Sequence, residues 1–250
     1  MNITRFVYPY IMPKNPVFGW ELLYSIRSIY ANYKDPFTIT IIGEIPQWVN
    51  TSEVKCIQFN NSHFGKRVAS RTNQKLLLAA DAYNDIYDNI LWMNDDIYLI
   101  NECRLEDFKV PRYISDKLHY NESTKGLNTF KKLMRYTWFQ LQELNKSNRF
   151  NYASHCPIYY ESDKLRELNE VFNLTSCGDM TTLTTLAYHN YFEIEGQPVG
   201  SFRVGYWGES EAKIKKETIV LNHDDKGFFS NPWIISYLNA SFPNKCSAEI

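Results

Sequence analysis

Ile90-Leu91-Trp92-Met93-Asn94-Asp95-Asp96-Ile97-Tyr98-Leu99-Ile100 is the stretch whose reading decides the fold. Its first four residues form a continuous apolar run, the pattern of a strand buried on both faces, as the parallel strands of α/β sheets are. The run stops abruptly at Asn94-Asp95-Asp96, and a second apolar run follows at once. Two adjacent carboxylates at the end of a buried strand are costly without a cation or hydrogen-bond donors, because like charges disfavour each other's ionisation. The stretch therefore predicts a buried sheet and a polar site at the carboxyl end of one of its strands.

Upstream, the pattern is that of alternating strands and helices. Arg5 to Ile11 reads as a first strand, and Trp20 to Tyr33 as a helix with Leu22, Ile26, Ile29, Tyr30 and Tyr33 at helical spacing, stopped by Asp35-Pro36. Phe37, Ile39 and Ile41 alternate with threonines as a second strand, and Val54 to Phe59 is a shorter third. The polar stretch Asn60 to Arg71 leads into a helix carrying Leu76, Ala80, Tyr83 and Tyr87 on one face. The order indicates crossover helices on a mostly parallel sheet. Downstream, helices are expected over Thr129–Leu144, Asp163–Phe172, Met180–Asn190 and Trp233–Leu238, with strands over Phe202–Tyr206 and Thr218–Leu221.

The 27 basic and 28 acidic residues nearly cancel, which excludes a polycation built to coat nucleic acid or an anionic membrane. With 44% hydrophobic residues over 250 positions and no linker or repeat, one domain is expected. Cys56, Cys103, Cys156, Cys177 and Cys246 are scattered, without Cys-x-x-Cys pairs, and fit a reduced, cytoplasmic setting. Neither a signal peptide nor a membrane-spanning run is read in the sequence.

Asp95 and Asp96 offer hard oxygen ligands suited to Mg²⁺ or Mn²⁺, which can clamp a diphosphate and take up charge as it leaves. The same pair also suits the polar turn of a strand-turn-strand hairpin. Arg71 and Lys75, a helical turn apart near a helix start, can both face one diphosphate; a solvated basic helix start is the plainer alternative. His155 precedes Pro157 where an acceptor-binding wall is expected, although a lone histidine is more often structural.

Trp92-Met93-Asn94-Asp95-Asp96-Ile97-Tyr98-Leu99 resembles the Asn-Asp-Asp segment of Stealth-type sugar-phosphate transferases and of GT-A glycosyltransferases. Glu21-Leu22-Leu23-Tyr24-Ser25-Ile26-Arg27-Ser28-Ile29 and Ile45-Pro46-Gln47-Trp48-Val49-Asn50 resemble two further Stealth segments, in the right order. Downstream, Tyr152-Ala153-Ser154-His155-Cys156-Pro157, Thr185 to Phe192, and Phe242 to Glu249 are similar to pieces of small bacteriophage glycosyltransferases. Val7-Tyr8-Pro9-Tyr10 stands in place of the opening Val-Tyr-Thr-Trp-Val of Stealth proteins, which favours ordinary glycosyl transfer.

The resemblance implies a single GT-A-like α/β domain over residues 1–250, with residues 1–100 holding the nucleotide-sugar and 101–250 the acceptor. It implies Asp95, Asp96 and His223 (or Asp225) around a Mn²⁺ or Mg²⁺ ion, and Asn94, Arg71, Lys75 and Arg27 on the donor. Arg27 reads equally as a surface charge or a partner of Glu21. Asp179, at a helix start, is either a general base or an N-cap; His155 is the other catalytic candidate. The expected reaction moves a sugar from a UDP-linked donor to a hydroxyl of a large acceptor, with hydroxymethylated pyrimidines of phage DNA the foremost one. Lys66-Arg67, Arg71 and Lys131-Lys132-Arg135 would meet its phosphates, and a chain with 16% aromatic residues can hold an extruded base. Sugar-phosphate transfer, a surface-glycan acceptor and an inactive binding module are the alternatives.

Overall fold

Five strands pair in the order β3-β2-β1-β4-β7, with β1 (Thr4–Tyr10) in the middle, in a computed structural model that describes residues 3–14, 19–60, 68–82, 89–116, 128–147, 149–175, 180–224 and 233–250. β1 runs parallel to β2 (Phe37–Gly43) and to β4 (Asn89–Trp92), and β2 runs parallel to β3 (Val54–Gln58). The expected α/β fold with a mixed, mostly parallel sheet flanked by helices is the one observed. The exception to the parallel pattern is β7 (Ile158–Glu161), antiparallel at the β4 edge.

Residues of β1 alternate between two cores, as the two-residue period of a strand requires. Phe6, Tyr8 and Tyr10 face α1 (Glu21–Asn32), packing with its Leu22, Ile26 and Ile29. Val7 points the other way, joining Ile42, Ile90 and Trp92 beneath Leu76, Leu77, Ala79 and Ala80 of α2 (Val68–Asp81). Fully burying each such Leu or Ile contributes about 1.5–3 kcal/mol, so these two faces dominate the stability of this half. α1 and α2 thus lie on opposite faces of the sheet. The chain winds outward from β1 through β2 to β3, then returns across β1 to reach β4. The carboxyl ends of β1 and β4 therefore flank a topological switch point, where open α/β sheets form a crevice.

β4 does not fold back on the strand that follows it. β5 (Ile97–Leu99) pairs antiparallel with β10 (Val220–His223), which runs parallel to β9 (Arg203–Tyr206) in a separate three-stranded sheet. Asn94-Asp95-Asp96 is thus a bridge between two sheets, closed by the Ile97 N–H donating to the Asn94 carbonyl at 3.3 Å, and not the hairpin turn that its sequence also suits. α1 fixes where β5 lies. Its Ser25, Ser28 and Asn32 form a polar stripe at helical spacing: the Ser25 hydroxyl donates to the Ile97 carbonyl (2.5 Å), the Ser28 hydroxyl accepts from the Leu99 N–H (2.9 Å), and the Asn32 amide donates to the Leu99 carbonyl (2.6 Å).

The remaining elements are α3 (Glu106–Lys109), β6 (Arg112–Tyr113), α4 (Thr129–Glu143), α5 (Ser162–Phe172), α6 (Thr184–Tyr191), β8 (Gln197–Pro198) and α7 (Trp233–Ser241). α6 begins later than the sequence pattern predicts. Thr181 and Thr182 run extended ahead of it: the Asn73 side chain donates to the Thr182 carbonyl (2.8 Å), and the Thr184 hydroxyl donates back to Asn73 (2.7 Å). β-branched residues lose little by leaving a helix for such bonds. No helix among the described residues is long and apolar enough to cross a membrane.

The C-terminal segment is pinned to α1. The Arg27 guanidinium donates from both Nε and Nη2 to the Glu249 carboxylate, each at 2.8 Å, and from Nη1 to the Phe242 carbonyl at 3.1 Å. Burial raises the pKa of Glu249, but its bonds from Arg27 and Cys246 outweigh that and leave it lowered. We predict that Glu249→Gln costs about 1–3 kcal/mol near neutral pH, discounted for the pair's partial exposure. The stabilisation is full above the ordinary glutamate pKa of about 4.3 and disappears as pH falls through the lowered folded value. Urea denaturation of both proteins from pH 7 to pH 3 should show the two converging at the acid end.

Candidate functional site

The bridge between the sheets opens into a cavity of about 710 Å³ lined by Glu21, Asn94, Asp95, Asp96, His155, Trp207, His223 and Asp224. Five of these, Asn94, Asp95, Asp96, His155 and His223, are residues that the sequence singles out. They come from three separate stretches of chain, so their convergence is a product of the fold.

Buried β4 and β5 on either side hold the Asp pair in place. Glu21 is the first residue of α1, buried to 8% exposure, where the helix macrodipole favours a carboxylate. Its Oε1 lies 3.3 Å from His223 Nε2. The same nitrogen is 3.0 Å from the Tyr98 hydroxyl, and His223 Nδ1 is 3.3 Å from the Asp224 carbonyl. The imidazole stacks between the rings of Trp20 (5.6 Å) and Tyr98 (5.9 Å). Burial raises the Tyr98 pKa well above the ordinary value, and Glu21, Asp96 and Asp95 raise it further, so the phenol keeps its proton. Both ring nitrogens of His223 lie within hydrogen-bond reach of protein atoms, and the residue lines the cavity beside the carboxylates. Asp225 and Asp179 lie outside the described residues.

Glu21, Asp95, Asp96 and Asp224 put four carboxylates around one cavity, and among the described residues no Lys or Arg lines it. Among the described residues no three His, Cys, Asp or Glu side chains stand close enough to hold a metal by themselves. The arrangement fits the way Mg²⁺ and Mn²⁺ bind with a phosphorylated substrate: one or two carboxylates, with phosphate and water oxygens completing the shell. Asp95 and Asp96 would hold such an ion.

His155 sits at the rim, exposed, in a left-handed conformation with φ of 49°. That conformation costs a non-glycine residue about 1–3 kcal/mol. Protein packed around the ring, and then the charge of Arg203, lower its pKa, so it is neutral at pH 7.

Cationic groups lie beyond the wall, on the main-sheet side. Lys75 is buried in α2; its ammonium donates to the Tyr10 carbonyl at the end of β1 (3.1 Å) and lies over the Phe59 ring at 5.3 Å. Gly43, with φ of 138°, allows this approach, since a Cβ there would fall 1.9 Å from the Tyr10 oxygen and 2.9 Å from Lys75 Nζ. Burial, then the neighbouring Arg71, push the Lys75 pKa down to about 8, against the opposing pull of Glu44 and Asp95. Arg71 lies one turn earlier, with a buried Nε that has no hydrogen-bond partner among the described residues. Arg27, expected at the donor, is not among the described lining residues; three of its five N–H groups donate to Glu249 and Phe242.

Sequence reading missed Glu21, Trp207 and Asp224 as lining residues. Glu21 carried a signal, an acid at the start of the helix that follows the first strand. Trp207 carried none beyond Gly205 and Gly208 on either side. No protein-family model matches the chain, and no curated protein is significantly similar to it.

A buried ammonium weakens the fold, and it is accounted for here by its place beside the site. Its folded pKa of about 8 lies below the unfolded value, so the unfolded chain binds more protons between the two and stability rises with pH across that window. We predict that Lys75→Met abolishes this rise and stabilises the protein by about 1–3 kcal/mol near pH 7, where the desolvated charge is removed. Comparing denaturation midpoints of the two proteins at pH 7 and pH 10 checks both parts.

Proposed function

We propose that the chain is a metal-dependent glycosyltransferase that moves a sugar from a nucleoside-diphosphate donor, UDP-linked, to a hydroxyl group. The observation that carries this reading is the placement of Asp95-Asp96 at the carboxyl end of β4, at the switch point, inside a cavity with four carboxylates. A cavity so acidic repels a diphosphate unless a divalent cation enters with it. Mg²⁺ or Mn²⁺ would supply Lewis-acid charge to the departing diphosphate. Asp95 and Asp96 hold its place, with Asn94 beside them, and Glu21, Tyr98 and His223 keep the bridge rigid from behind. Arg71 and Lys75 supply positive charge on the main-sheet side, where Lys75 acts on Asp95 across the end of β1.

Transfer with inversion needs a base on the acceptor side, opposite the leaving diphosphate. A neutral imidazole can accept the acceptor's proton, and His155 lines the cavity in that form. Asp179 is the alternative base. His155→Gln and Asp179→Asn distinguish the two, since only loss of the true base lowers turnover while leaving donor affinity unchanged.

Asp96→Ala is expected to abolish both Mn²⁺-dependent donor binding and transfer without lowering the melting temperature, because one of two repelling carboxylates has gone. Full turnover of the unmodified protein in EDTA would overturn the metal role. Arg71→Ala should weaken UDP-sugar binding about ten- to a hundredfold, the loss of one charge-assisted phosphate contact. Calorimetry measures the affinities, and identifying the released nucleotide as UDP or UMP separates sugar transfer from sugar-phosphate transfer.

A further inference from the structure

We infer that the indole of Trp207 is the platform for a neutral saccharide acceptor, so that the hydroxyl glycosylated belongs to a carbohydrate and not to a nucleic acid; this rests on the glycosyl-transfer reading of the cavity. Trp207 is 47% exposed, at the edge of the cavity that holds the Asp pair. An indole left in water forgoes the burial that usually stabilises so large an apolar surface.

The ring is held in place before any ligand arrives. It lies across the backbone of Gly205: a Cβ at that position would meet its Cζ2 at 2.6 Å and its Cε2 at 2.8 Å. The backbone N–H of Trp207 donates to the Glu209 carboxylate at 2.9 Å, which holds the main chain that carries the ring and is the foremost cause of the lowered Glu209 pKa. The hydroxyl of buried Tyr206 donates to the Glu209 carbonyl at 2.8 Å, and Gly208, with φ of 98°, supplies the tight turn between. A ring fixed in this way loses little freedom on binding.

The chemistry around it suits a sugar. An aromatic face carries negative quadrupolar charge, which matches the weakly positive C–H face of a pyranose. Ionised carboxylates are acceptors only, and each oxygen can accept more than one hydroxyl donor; Asp224, Glu21 and the Asn94 amide share the cavity with the indole. A nucleic acid meets the opposite situation, because its affinity comes mainly from Lys and Arg on phosphates. Among the described residues no Lys or Arg lines the cavity, and Lys131 and Lys132 of α4, exposed and expected to contact DNA, are not among its lining residues. Position separates Trp207 from the donor as well. It follows β9, on the far side of the small sheet from β5, whereas Arg71 and Lys75 lie at the main sheet.

The test is calorimetry with Mn²⁺ and UDP present, using a panel of neutral oligosaccharides and, separately, single- and double-stranded DNA containing 5-hydroxymethylcytosine. Saccharide affinity is expected to fall tenfold or more in Trp207→Ala and to be partly retained in Trp207→Phe. It should also fall in Gly205→Ala, where the indole remains but is displaced, while UDP–Mn²⁺ affinity stays unchanged in all three. The inference is overturned if DNA binds and depends on Trp207, if the unmodified protein binds no saccharide in the panel, or if Trp207→Ala weakens UDP, since the ring would then read the nucleobase. Failure of the glycosyl-transfer reading looks different: no Mn²⁺-dependent UDP binding in the unmodified protein and no effect of Asp96→Ala, with Trp207-dependent saccharide binding left standing.

Discussion

Repulsion among carboxylates is the constraint on which the rest of the structure depends. Asp95 and Asp96 are adjacent in sequence, and the fold adds Glu21 and Asp224 to the same cavity instead of spreading the charge. In the metal-free chain this concentration is offset by rigid neighbours. Buried β4 fixes one side of the bridge, and β5, bonded along the polar stripe of α1, fixes the other. Tyr98, His223 and Glu21 fill the space behind with side chains that bond to one another. The acidic residues are thus held in place by the elements on either side of the bridge.

α1 serves three neighbours at once through the 3.6-residue period. Leu22, Ile26 and Ile29 are buried on the main sheet, Ser25, Ser28 and Asn32 bond to β5, and Arg27 reaches the C-terminal segment. This gives a structural meaning to three of the stretches whose sequence resembles segments of known transferases. The segment containing Arg27, the Ile45–Asn50 stretch and the Phe242–Glu249 stretch meet in space: the Asn50 N–H donates to the Ala248 carbonyl at 2.7 Å, and the Ile250 N–H donates to the Trp48 carbonyl at 3.0 Å. They form one clamp around the start of the sheet, in which Glu249 is the counterion of Arg27. Motif likeness here reflects how the chain is held together as much as what it does.

The sheet half was legible because its signals are local and strong. Continuous apolar runs gave the strands, apolar spacing gave α1 and α2, and the break at Asn94 gave the site. β7 escaped notice because Ile158-Tyr159-Tyr160-Glu161 is short, follows a proline and runs directly into α5, leaving no alternation to detect. The hairpin alternative for Asp95-Asp96 failed for a non-local reason: β5 pairs with β10, more than a hundred residues further on. The same distance hides Glu21 beside His223. Glu249 as the partner of Arg27 was equally out of reach of sequence reading, because the two lie more than two hundred residues apart.

Departures from local rules gather at one place. Lys75 is a buried ammonium, His155 has a left-handed backbone without being glycine, Trp207 leaves nearly half an indole in water, and four acids crowd one wall. Each departs from the burial, backbone or charge rule that holds elsewhere in the molecule. Chains under selection for stability alone would exchange these residues with little disturbance, as the conformity of the α1 and α2 faces to burial rules shows elsewhere in this molecule. The four line or border a single crevice at the switch point of the sheet, which is where strain and misplaced charge are retained for function. Their clustering, independent of any likeness to other proteins, is the physical ground for the proposal that places function in this cavity.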